Sequence, residues 1–267
     1  MEDIKNYVLN KKAALKEEIS TLNRDICLAI VQVNDDIASN VYIKGKLKDL
    51  EEVGMKSKFI KLDNLTTQDE LLNVISKLNE DETVNGIIVQ LPLPESIDEY
   101  IIKKAIIPSK DADGFSPLAI VDPATPKGIL NYLIDNDYKF DGKNAVVIGR
   151  SEIVGKPMAK LLLEKNMNCV VLHSHTTEED KRFYLEHADL IVVSVGKEKV
   201  LDKTYKLKKD AVVIDVGINR VDGKLVGDCE KDLDVYFQSS VPGGVGLLTR
   251  LQLLMNLKEL ADLWNSK

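Results

Sequence analysis

Short apolar runs alternate with longer amphipathic segments along the chain, and this rhythm predicts strands and helices in regular order. In the first half the predicted elements are a helix, then strand, helix, strand, helix and strand, over about 4–22, 26–33, 38–53, 58–62, 67–78 and 86–94. Gly54 stands where a left-handed helix cap is expected, and Thr67 with Glu70 forms a capping-box pair. The βαβαβ order predicts a parallel sheet with right-handed crossovers.

The second half repeats this alternation after a break. The stretch 108–126 holds four prolines and little periodicity, so it is the candidate linker. Beyond it, the sequence predicts strands over 144–149, 168–172, 189–195 and 211–217, and helices over 155–166 and about 247–264. The expected fold class is therefore α/β, arranged as two α/β lobes.

Composition and charge narrow the class of protein. Of 267 residues, 44% are hydrophobic and 30% are charged, which is typical of a globular chain with material for real cores. The net charge of −7 and the lack of a long basic run argue against nucleic acid as a partner. Charges throughout residues 1–19 exclude an apolar signal-peptide core, and no run approaches the ~20 apolar residues that span a bilayer. Three widely separated cysteines suit a reducing, cytoplasmic compartment, and no cluster of metal ligands stands out.

A candidate nucleotide site lies at the junction between the predicted strand 144–149 and the helix that follows it. Gly149, Arg150 and Ser151 begin this junction and Gly155 ends it. Such a junction holds the cofactor pyrophosphate at a helix N-terminus in a Rossmann-type lobe. Because Ser151 occupies the place of the second glycine in G-x-G-x-x-G, the alternative is a tight strand-to-helix turn with a packing glycine.

The end of the next strand bears on which dinucleotide binds. A lobe specific for NAD usually carries an acidic residue there, which holds the ribose 2′-hydroxyl. Here His173, Ser174 and His175 follow the strand, and the first carboxylate is Glu178. Arg150 can pair with a 2′-phosphate and Ser174 can donate a hydroxyl to it, so the pattern favours NADP. The two histidines equally suit an ordinary turn, and the residues alone assign them no chemistry.

Two further strand ends carry glycines. Gly196 follows one predicted strand, and Gly217 with Ile218 ends another. Strand ends at this edge of the sheet face the nicotinamide in such lobes, although strand termination alone also explains the glycines.

One face of the predicted helix 38–53 carries Ser39, Tyr42 and Lys46. A tyrosine hydroxyl beside a lysine in a partly desolvated cleft is one way to hold the amine neutral, because desolvation disfavours the ammonium. Such a lysine can act as a base near neutral pH. The alternative is a solvated helix face, which is the usual meaning of this composition.

Three more segments carry candidate ligand-binding residues. Gln90 and Leu91 lie at the end of a predicted strand, where ligands of open α/β sheets bind. Asp111 and Asp113 are two carboxylates on a predicted turn, and a carboxylate there can accept paired N–H bonds, such as those of an amino-pyrimidinone edge, although Asp and Gly also favour turns. Pro242 and Gly243 belong to a glycine-rich loop that either lets a ligand approach the backbone or only leads into the last helix.

Taken together, these segments resemble the methylenetetrahydrofolate dehydrogenase/methenyltetrahydrofolate cyclohydrolase family of bifunctional folate enzymes. The resemblance covers nearly the whole chain, in order and in spacing. The segments that carry it are SNVYIKGK (39–46), GIIVQLPLP (86–94), PSKDADG (108–114), ATPKG (124–128), GRSEIVGKP (149–157), HSHT (173–176), DVGIN (215–219) and VPGGVG (241–246).

The resemblance implies two α/β lobes around a cleft, the C-terminal one a Rossmann-type NADP-binding lobe. The N-terminal folate-binding catalytic domain would comprise 1–120, with the last helix, 247–267, packed back on it. The NADP-binding domain would comprise 121–246. The resemblance also implies tetrahydrofolate derivatives as ligands, NADP as the cofactor, and a homodimer formed through the nucleotide lobe.

The resemblance also assigns roles to matching positions. Lys46 would be the cyclohydrolase base or proton shuttle, with Tyr42 packing on the folate and hydrogen-bonding near the lysine. Gln90 would tune the lysine, and Asp113 would anchor the pterin. The folate site would further include Ser39, Leu91, Pro242 and Gly243. The cofactor site would comprise Gly149, Arg150, Ser151, His173, Ser174, Gly196, Gly217 and Ile218.

The implied function is NADP-dependent oxidation of 5,10-methylenetetrahydrofolate to 5,10-methenyltetrahydrofolate, followed by hydrolysis to 10-formyltetrahydrofolate. Orientation of two bound partners serves the hydride step, and a neutral lysine removes a proton from the attacking water in the second step. Two alternatives stay open: a related two-lobe dehydrogenase of the shikimate type, and a catalytically silent nucleotide- or folate-binding protein.

Overall fold

The computed structural model describes residues 1–265. Its internal contacts divide the chain into two compact units. The first unit contains Asn10–Ala124 and the segment that begins at Arg250, and the second unit contains Met1–Leu9 and Thr125–Thr249. Within residues 1–265, no helix has the length and apolar character that crossing a membrane requires.

Three helices contribute residues to both units. They are α1 (Ile4–Ser20), α8 (Val245–Asn265) and α5 (Ala124–Asp135), of which only Ala124 belongs to the first unit. The last helix was expected over 247–267; it begins two residues earlier, and positions 266 and 267 lie outside the described residues. The first nine residues, expected in the N-terminal domain, group with the second unit.

The first unit is built on a three-stranded parallel sheet. Its elements are β1 (Cys27–Gln32), α2 (Ile37–Val53), β2 (Lys56–Lys61), α3 (Gln68–Glu80), β3 (Gly86–Gln90), α4 (Glu99–Ala105) and a 3-10 turn at Pro108–Lys110. The strand order is β2-β1-β3, which confirms the parallel sheet predicted from the βαβαβ pattern.

Both faces of this sheet are covered, and alternate residues of β1 enter different cores. Leu28 packs in one core with Leu50 of α2 and Leu257 of α8. Ala29 packs in the other core with Leu71 of α3. A strand that is buried on both faces needs apolar residues at every position, which explains its continuous apolar run.

The predicted helix caps are confirmed. The Thr67 hydroxyl accepts from the Glu70 N–H at 3.3 Å, and the Glu70 carboxylate accepts from the Thr67 N–H at 2.8 Å. Gly54 ends α2 with a φ of 82°. At the other end of α2, the Asp36 carboxylate accepts from the Ser39 N–H at 2.7 Å. This cap fixes the start of the helix that carries the predicted catalytic face.

The second unit is built on a five-stranded parallel sheet. Its elements are α5 (Ala124–Asp135), β4 (Asn144–Ile148), α6 (Gly155–Glu164), β5 (Asn168–Leu172), α7 (Glu178–Glu186), β6 (Leu190–Val193), β7 (Val212–Asp215), β8 (Asn219–Val221), β9 (Lys224–Val226) and β10 (Phe237–Gln238). The strand order is β10-β7-β6-β4-β5, and β8 and β9 form a separate antiparallel hairpin. The order reverses beside β4, and ligands of such sheets bind at the carboxyl ends of the strands around that point.

Several elements were not predicted from the sequence. They are α4, α7, the β8–β9 hairpin and β10. In α4 and α7 only Ile102 and Leu185 are buried, so these short helices lack the periodicity that reveals an amphipathic helix. In addition, α5 begins inside the stretch 108–126 that was predicted as a linker.

Candidate active site and nucleotide-binding site

The predicted catalytic face of α2 forms, and its three residues differ in exposure. Ser39 is 2% exposed, and its hydroxyl donates to the Leu91 carbonyl at 3.2 Å. Tyr42 is 37% exposed, and Lys46, one turn further along, is partly buried. The resemblance implies that Tyr42 hydrogen-bonds near the lysine; within the described part of the chain, no hydrogen bond joins Tyr42 to Lys46 itself. The Tyr42 hydroxyl is therefore free to bond a ligand.

The Lys46 amine contacts the end of β3. Its Nζ donates to Oε1 of Gln90 at 3.2 Å, and Nε2 of Gln90 donates to the Leu91 carbonyl at 2.8 Å. Because a carbonyl can only accept, it orients the Gln90 amide with its oxygen toward the lysine. This neutral acceptor satisfies one amine N–H without adding the negative charge that would favour the ammonium form.

The protonation of Lys46 depends on three surrounding influences. Burial lowers the pKa of Lys46; the charge of Asp113 opposes this shift, and the charge of Arg250 adds to it. Burial also raises the pKa of Asp113, whereas the charges of Lys46 and Lys103 lower it. A lysine with a lowered pKa is more readily unprotonated near neutral pH, as a general base must be.

A pocket at the end of β3 contains Asp113. Its other walls are mostly apolar and include Leu91, Leu93 and Phe115. The Asp113 carboxylate accepts no hydrogen bond from any of residues 1–265. The cavity is small, about 20 Å³, so the feature that suits a ligand with paired N–H donors is the unbonded carboxylate and not the volume.

Buried neighbours hold the turn that carries Asp113. The Asp111 carboxylate accepts from the Gly114 N–H at 3.0 Å and from the Ser116 N–H at 2.7 Å. Lys110 is 1% exposed and donates to three carbonyls. Two of them, those of Leu78 and Asn79, belong to the last turn of α3, and the third, that of Asp81, follows the helix. Lys110 and Asp111 therefore stabilise the turn through bonds within the protein. The Asp113 carboxylate makes no such bond with the described residues and can accept from a ligand.

An ion pair beside the catalytic face was not predicted. Asp49 is 3% exposed and accepts two hydrogen bonds from Arg250 and one, at 2.7 Å, from Lys12. Burial raises the pKa of Asp49, but the hydrogen bonds from Arg250 and Lys12 outweigh it and hold the pKa below the usual value. A Cβ on Gly45 would lie 2.8 Å from the Arg250 guanidinium, so the glycine makes room for it. The only sequence signal was a carboxylate on the buried side of the helix, three residues after Lys46.

In the second unit, the junction between β4 and α6 has no room for side chains at its two glycines. Gly149 has a φ of 122°, and a Cβ there would lie 2.7 Å from the Ser194 hydroxyl oxygen. A Cβ on Gly155 would collide with the Gly149 carbonyl oxygen. The Ser151 hydroxyl accepts from the N–H groups of Val154 and Gly155 at 3.2 and 3.3 Å. The main chain thus approaches the N-terminus of α6 closely, as a pyrophosphate cradle requires.

The residues predicted to select NADP lie at one sheet edge. β4 and β5 pair in parallel to their last residues, and Arg150 and Ser174 follow these two strands. Both side chains are exposed, and Arg150 makes no ion pair with any of residues 1–265. His173 accepts at Nδ1 from the His175 N–H at 3.2 Å, so its ring takes part in the turn.

The ends of β6 and β7 carry the remaining predicted cofactor residues. Gly196 has a φ of 75°, and a Cβ there would meet only open space. Ile218 is 47% exposed. A Cβ on Gly217 would instead collide with the carboxylate of Asp228, a residue that was not predicted. The glycine at 217 is therefore set by packing, and the one at 196 by backbone conformation.

The predicted loop residues Pro242 and Gly243 belong to the second unit. Gly243 has a φ of 94°, and a Cβ there would lie 2.6 Å from Cε of Lys5. Lys46, Gln90 and the other predicted folate residues belong to the first unit, so the structure groups only part of the predicted folate set in one unit.

The first unit thus presents a partly buried lysine beside an apolar pocket, and the second presents a nucleotide cradle on a parallel sheet. These features define a two-domain α/β enzyme with a dinucleotide-binding domain. Comparison with known families agrees: residues 3–113 match the catalytic domain of tetrahydrofolate dehydrogenase/cyclohydrolase, and residues 123–264 match its NAD(P)-binding domain. The chain belongs to the tetrahydrofolate dehydrogenase/cyclohydrolase family.

Individual relatives agree over nearly their full length. The bifunctional protein FolD of Agathobacter rectalis is 46% identical over 93% of this chain and 94% of its own. The crystal structure of the bifunctional FolD of Campylobacter jejuni superposes with a TM-score of 0.94 at 38% identity, covering 98% of each chain. The Trypanosoma brucei enzyme, solved with NADP and an inhibitor, has a TM-score of 0.94 at 28% identity, over 100% of this chain and 98% of its own.

These matches confirm the predicted family, the two-domain α/β fold, and the bifunctional dehydrogenase and cyclohydrolase activity with a nicotinamide cofactor. They do not favour the shikimate-type alternative. A shikimate dehydrogenase superposes with a TM-score of only 0.55 at 14% identity, which is a likeness of fold alone.

Proposed function

We propose that Lys46 transfers the protons in the hydrolysis of 5,10-methenyltetrahydrofolate to 10-formyltetrahydrofolate, after NADP-dependent oxidation of 5,10-methylenetetrahydrofolate. The observation that carries this role is the Lys46 amine, held 3.2 Å from the Gln90 amide oxygen at the strand end that also lines the Asp113 pocket. Burial lowers the pKa of this amine, which favours the form that can accept a proton.

In the hydrolytic step a water molecule adds to the cationic methenyl carbon. The neutral Lys46 amine takes a proton from this water as the carbon–oxygen bond forms. The resulting ammonium then returns this proton to the ring nitrogen as the carbon–nitrogen bond breaks. The hydroxyl on the same carbon becomes the formyl carbonyl, and its proton passes through the Lys46 amine to solvent. A neutral amine also avoids placing a second positive charge against the cationic bridge, and Gln90 keeps it oriented.

Substrate binding in the first unit would use the groups that the fold leaves free. The Asp113 carboxylate would accept the paired N–H groups of the pterin ring, and the ring of Tyr42 would pack on the folate. The Leu91 carbonyl is held by Ser39 and Gln90, so these three residues would shape the wall beside the reacting carbon.

The residues of the second unit fit NADP. The close packing of Gly155 on Gly149 brings the β4–α6 turn against the N-terminus of α6, where a pyrophosphate would bind. Arg150 and Ser174 would bind the 2′-phosphate, because they lie at one sheet edge and Arg150 has no carboxylate partner within residues 1–265. When bound, NADP would supply the acceptor for the hydride of the one-carbon bridge. The protein's part in that step is to bind and orient.

Replacing Lys46 with Met tests the proposal. Hydrolysis of methenyltetrahydrofolate, followed by decay of the methenyl absorbance, should fall about 10²- to 10⁴-fold, because the proton-transfer group is lost. Part of the NADP reduction should remain. Lys44→Met is the matched control, since Lys44 is an exposed lysine on the same helix. Hydrolysis by Lys46→Met at the rate of the control would refute the assignment.

We also propose that the protein is a cytoplasmic homodimer that associates through its second unit. β5 is an edge strand with three half-buried apolar residues, which leaves an edge suited to a second copy. Cys27, Cys169 and Cys229 are free thiols, as a reducing compartment favours. Light scattering on the eluted protein should give twice the mass of the chain.

A further inference from the structure

Asp228 lies at the centre of a buried hydrogen-bond network in the second unit. Its side chain is fully buried, at 0% exposure. One carboxylate oxygen accepts from the N–H groups of Val195 and Gly196, at 2.6 and 2.9 Å. The other accepts from the side-chain amide of Asn219 at 2.9 Å. Three donors therefore converge on this carboxylate, which makes it a well-satisfied buried group.

A second carboxylate, Asp215, joins the same network from the end of β7. It accepts from the N–H groups of Gly217 at 3.0 Å, Asp228 at 2.9 Å and Cys229 at 2.9 Å. The Ser239 hydroxyl in turn accepts from the Asp215 N–H at 2.8 Å. Asp215 thus fixes the backbone on both sides of the β8–β9 hairpin.

Two glycines allow these carboxylates to reach their donors. A Cβ on Gly217 would collide with the Asp228 carboxylate, and a Cβ on Gly227 would collide with the Asp215 carboxylate. Side chains at either position would push the hairpin away from the sheet. The segments 215–217 and 226–228 therefore pack together closely, with each glycine making room for the aspartate of the other segment.

The hairpin explains how Asp228 arrives there. The chain leaves β7 at Asp215, forms β8 and β9, and returns so that Asp228 lies against the turn that follows β6. A single residue thereby joins the carboxyl ends of two adjacent strands of the sheet. These are the ends that carry Gly196, Gly217 and Ile218.

We propose that Asp228 is a positioning residue for the dehydrogenase step, which ties the Val195–Gly196 turn to the Gly217–Asn219 segment so that both strand ends are preformed for the nicotinamide cofactor. The inference rests on the proposed cofactor site, and it adds a residue that does not itself contact the cofactor. A preformed site spends less binding free energy on ordering its loops. Loss of the tie should therefore weaken cofactor binding and hydride transfer while the first unit keeps its hydrolytic chemistry.

The carboxylate is chemically specific at this position. An asparagine has nearly the same shape, but its amide nitrogen donates and would face either two backbone N–H groups or the Asn219 amide. Exchanging the two residues restores part of the match. In the Asp228→Asn/Asn219→Asp double variant, the new amide can donate to the new carboxylate while its oxygen still accepts from Val195 and Gly196. The repair is partial, because Asn219 also donates to the Gly227 carbonyl at 3.1 Å.

The experiment compares Asp228→Asn, the exchanged double variant and a control, Asp222→Asn. Asp222 is exposed at the hairpin tip with a φ of 47°, which asparagine tolerates. Calorimetry gives the Kd for NADP, and steady-state assays give the KM for NADP and for methylenetetrahydrofolate. Hydrolysis of methenyltetrahydrofolate is measured without NADP.

For Asp228→Asn we expect the Kd and KM for NADP to rise about tenfold, with hydrolysis and the folate KM unchanged. The double variant should recover part of the loss, and the control should match the wild type.

Several outcomes would overturn the inference. They are an unchanged Kd for NADP in Asp228→Asn, equal losses of dehydrogenase and cyclohydrolase activity in folded protein, and no recovery in the double variant. If Asp228→Asn does not fold, Asn219→Ala decides, because it removes one donor and keeps the carboxylate; it should raise the Kd for NADP about threefold. Wild-type protein that binds no NADP would refute the proposed function itself. Normal NADP binding by Asp228→Asn and by Asn219→Ala would refute only the role of Asp228.

Discussion

Replacing Lys110 with Met should destabilise the first unit through the loss of one buried ammonium. Its Nζ lies 3.0 Å from the Leu78 carbonyl oxygen, and 2.8 Å from each of those of Asn79 and Asp81. The last carbonyls of a helix have no partners within the helix, and its C-terminus carries partial negative charge. Lys110 supplies both hydrogen-bond donors and a positive charge at the C-terminus of α3. Its ammonium also lies over the Trp264 ring, 5.1 Å from the centroid.

The size of the effect follows from which carbonyls are left without a donor. The bond to Leu78 is buried, so losing it should cost about 2 kcal/mol, and the two part-buried bonds about 0.5 kcal/mol each, since water can replace them. Burial lowers the pKa of Lys110, so removing the ammonium also relieves a desolvation cost, which makes the net loss smaller than the sum of the three bonds. The expected net loss is about 2 kcal/mol.

The assay is urea unfolding followed by tryptophan fluorescence. Trp264 is the single tryptophan of the chain and belongs to the first unit, so the signal reports the unit that contains Lys110. The midpoint should fall at an unchanged m-value, and Lys104→Met, a change at an exposed lysine of α4, should leave it in place. The KM for folate should rise in Lys110→Met, because the turn that carries Asp113 is loosened. A loss below about 0.5 kcal/mol would show that the three hydrogen bonds are not what holds this turn.

Two further predictions concern charge. Arg150→Ala should raise the KM for NADP far more than the KM for NAD, because only NADP has a 2′-phosphate to lose its partner; equal losses for both cofactors would defeat the argument. Arg250→Met should shift the ascending limb of the pH profile of hydrolysis to higher pH. The sign follows because the Arg250 charge lowers the pKa of Lys46, so its removal raises that pKa and keeps the amine protonated over a wider range. Arg250→Lys keeps the charge and should keep the profile, and an unmoved limb in Arg250→Met would rule out this electrostatic role.

The parts of the fold that the sequence predicts are those governed by neighbouring residues. The continuous apolar run of β1 predicts a strand covered on both faces, and Thr67 with Glu70 marks the start of α3. Each of these signals is complete within a few residues. By contrast, α7 buries only Leu185, so its sequence lacks the apolar periodicity of an amphipathic helix, and the helix was not predicted.

The candidate site divides in the same way. The spacing of Tyr42 and Lys46 places both on one helix face, but it does not determine whether they bond each other, and within residues 1–265 they do not. The pairing of distant residues left no signal in the sequence, even where one partner stood out by itself. Arg250 meets Asp49 across 201 positions of sequence, and Asp228 reaches Val195 across 33. Such pairs are set by the fold as a whole, so only the structure reveals them.

Hydrogen-bond saturation separates structural from reactive groups of the same type in the first unit. Lys110 has a carbonyl for each of its three N–H groups, and that full set stabilises the ammonium and leaves it no role in proton exchange. Lys46 has one amide oxygen, so it retains the capacity to lose a proton and to bond a ligand. The two aspartates of the turn differ likewise. Backbone N–H groups occupy the Asp111 carboxylate, whereas that of Asp113 accepts none within residues 1–265. The residue type in a motif therefore indicates what chemistry is available. Which of two residues of the same type performs that chemistry depends on whether the fold already satisfies its hydrogen bonds.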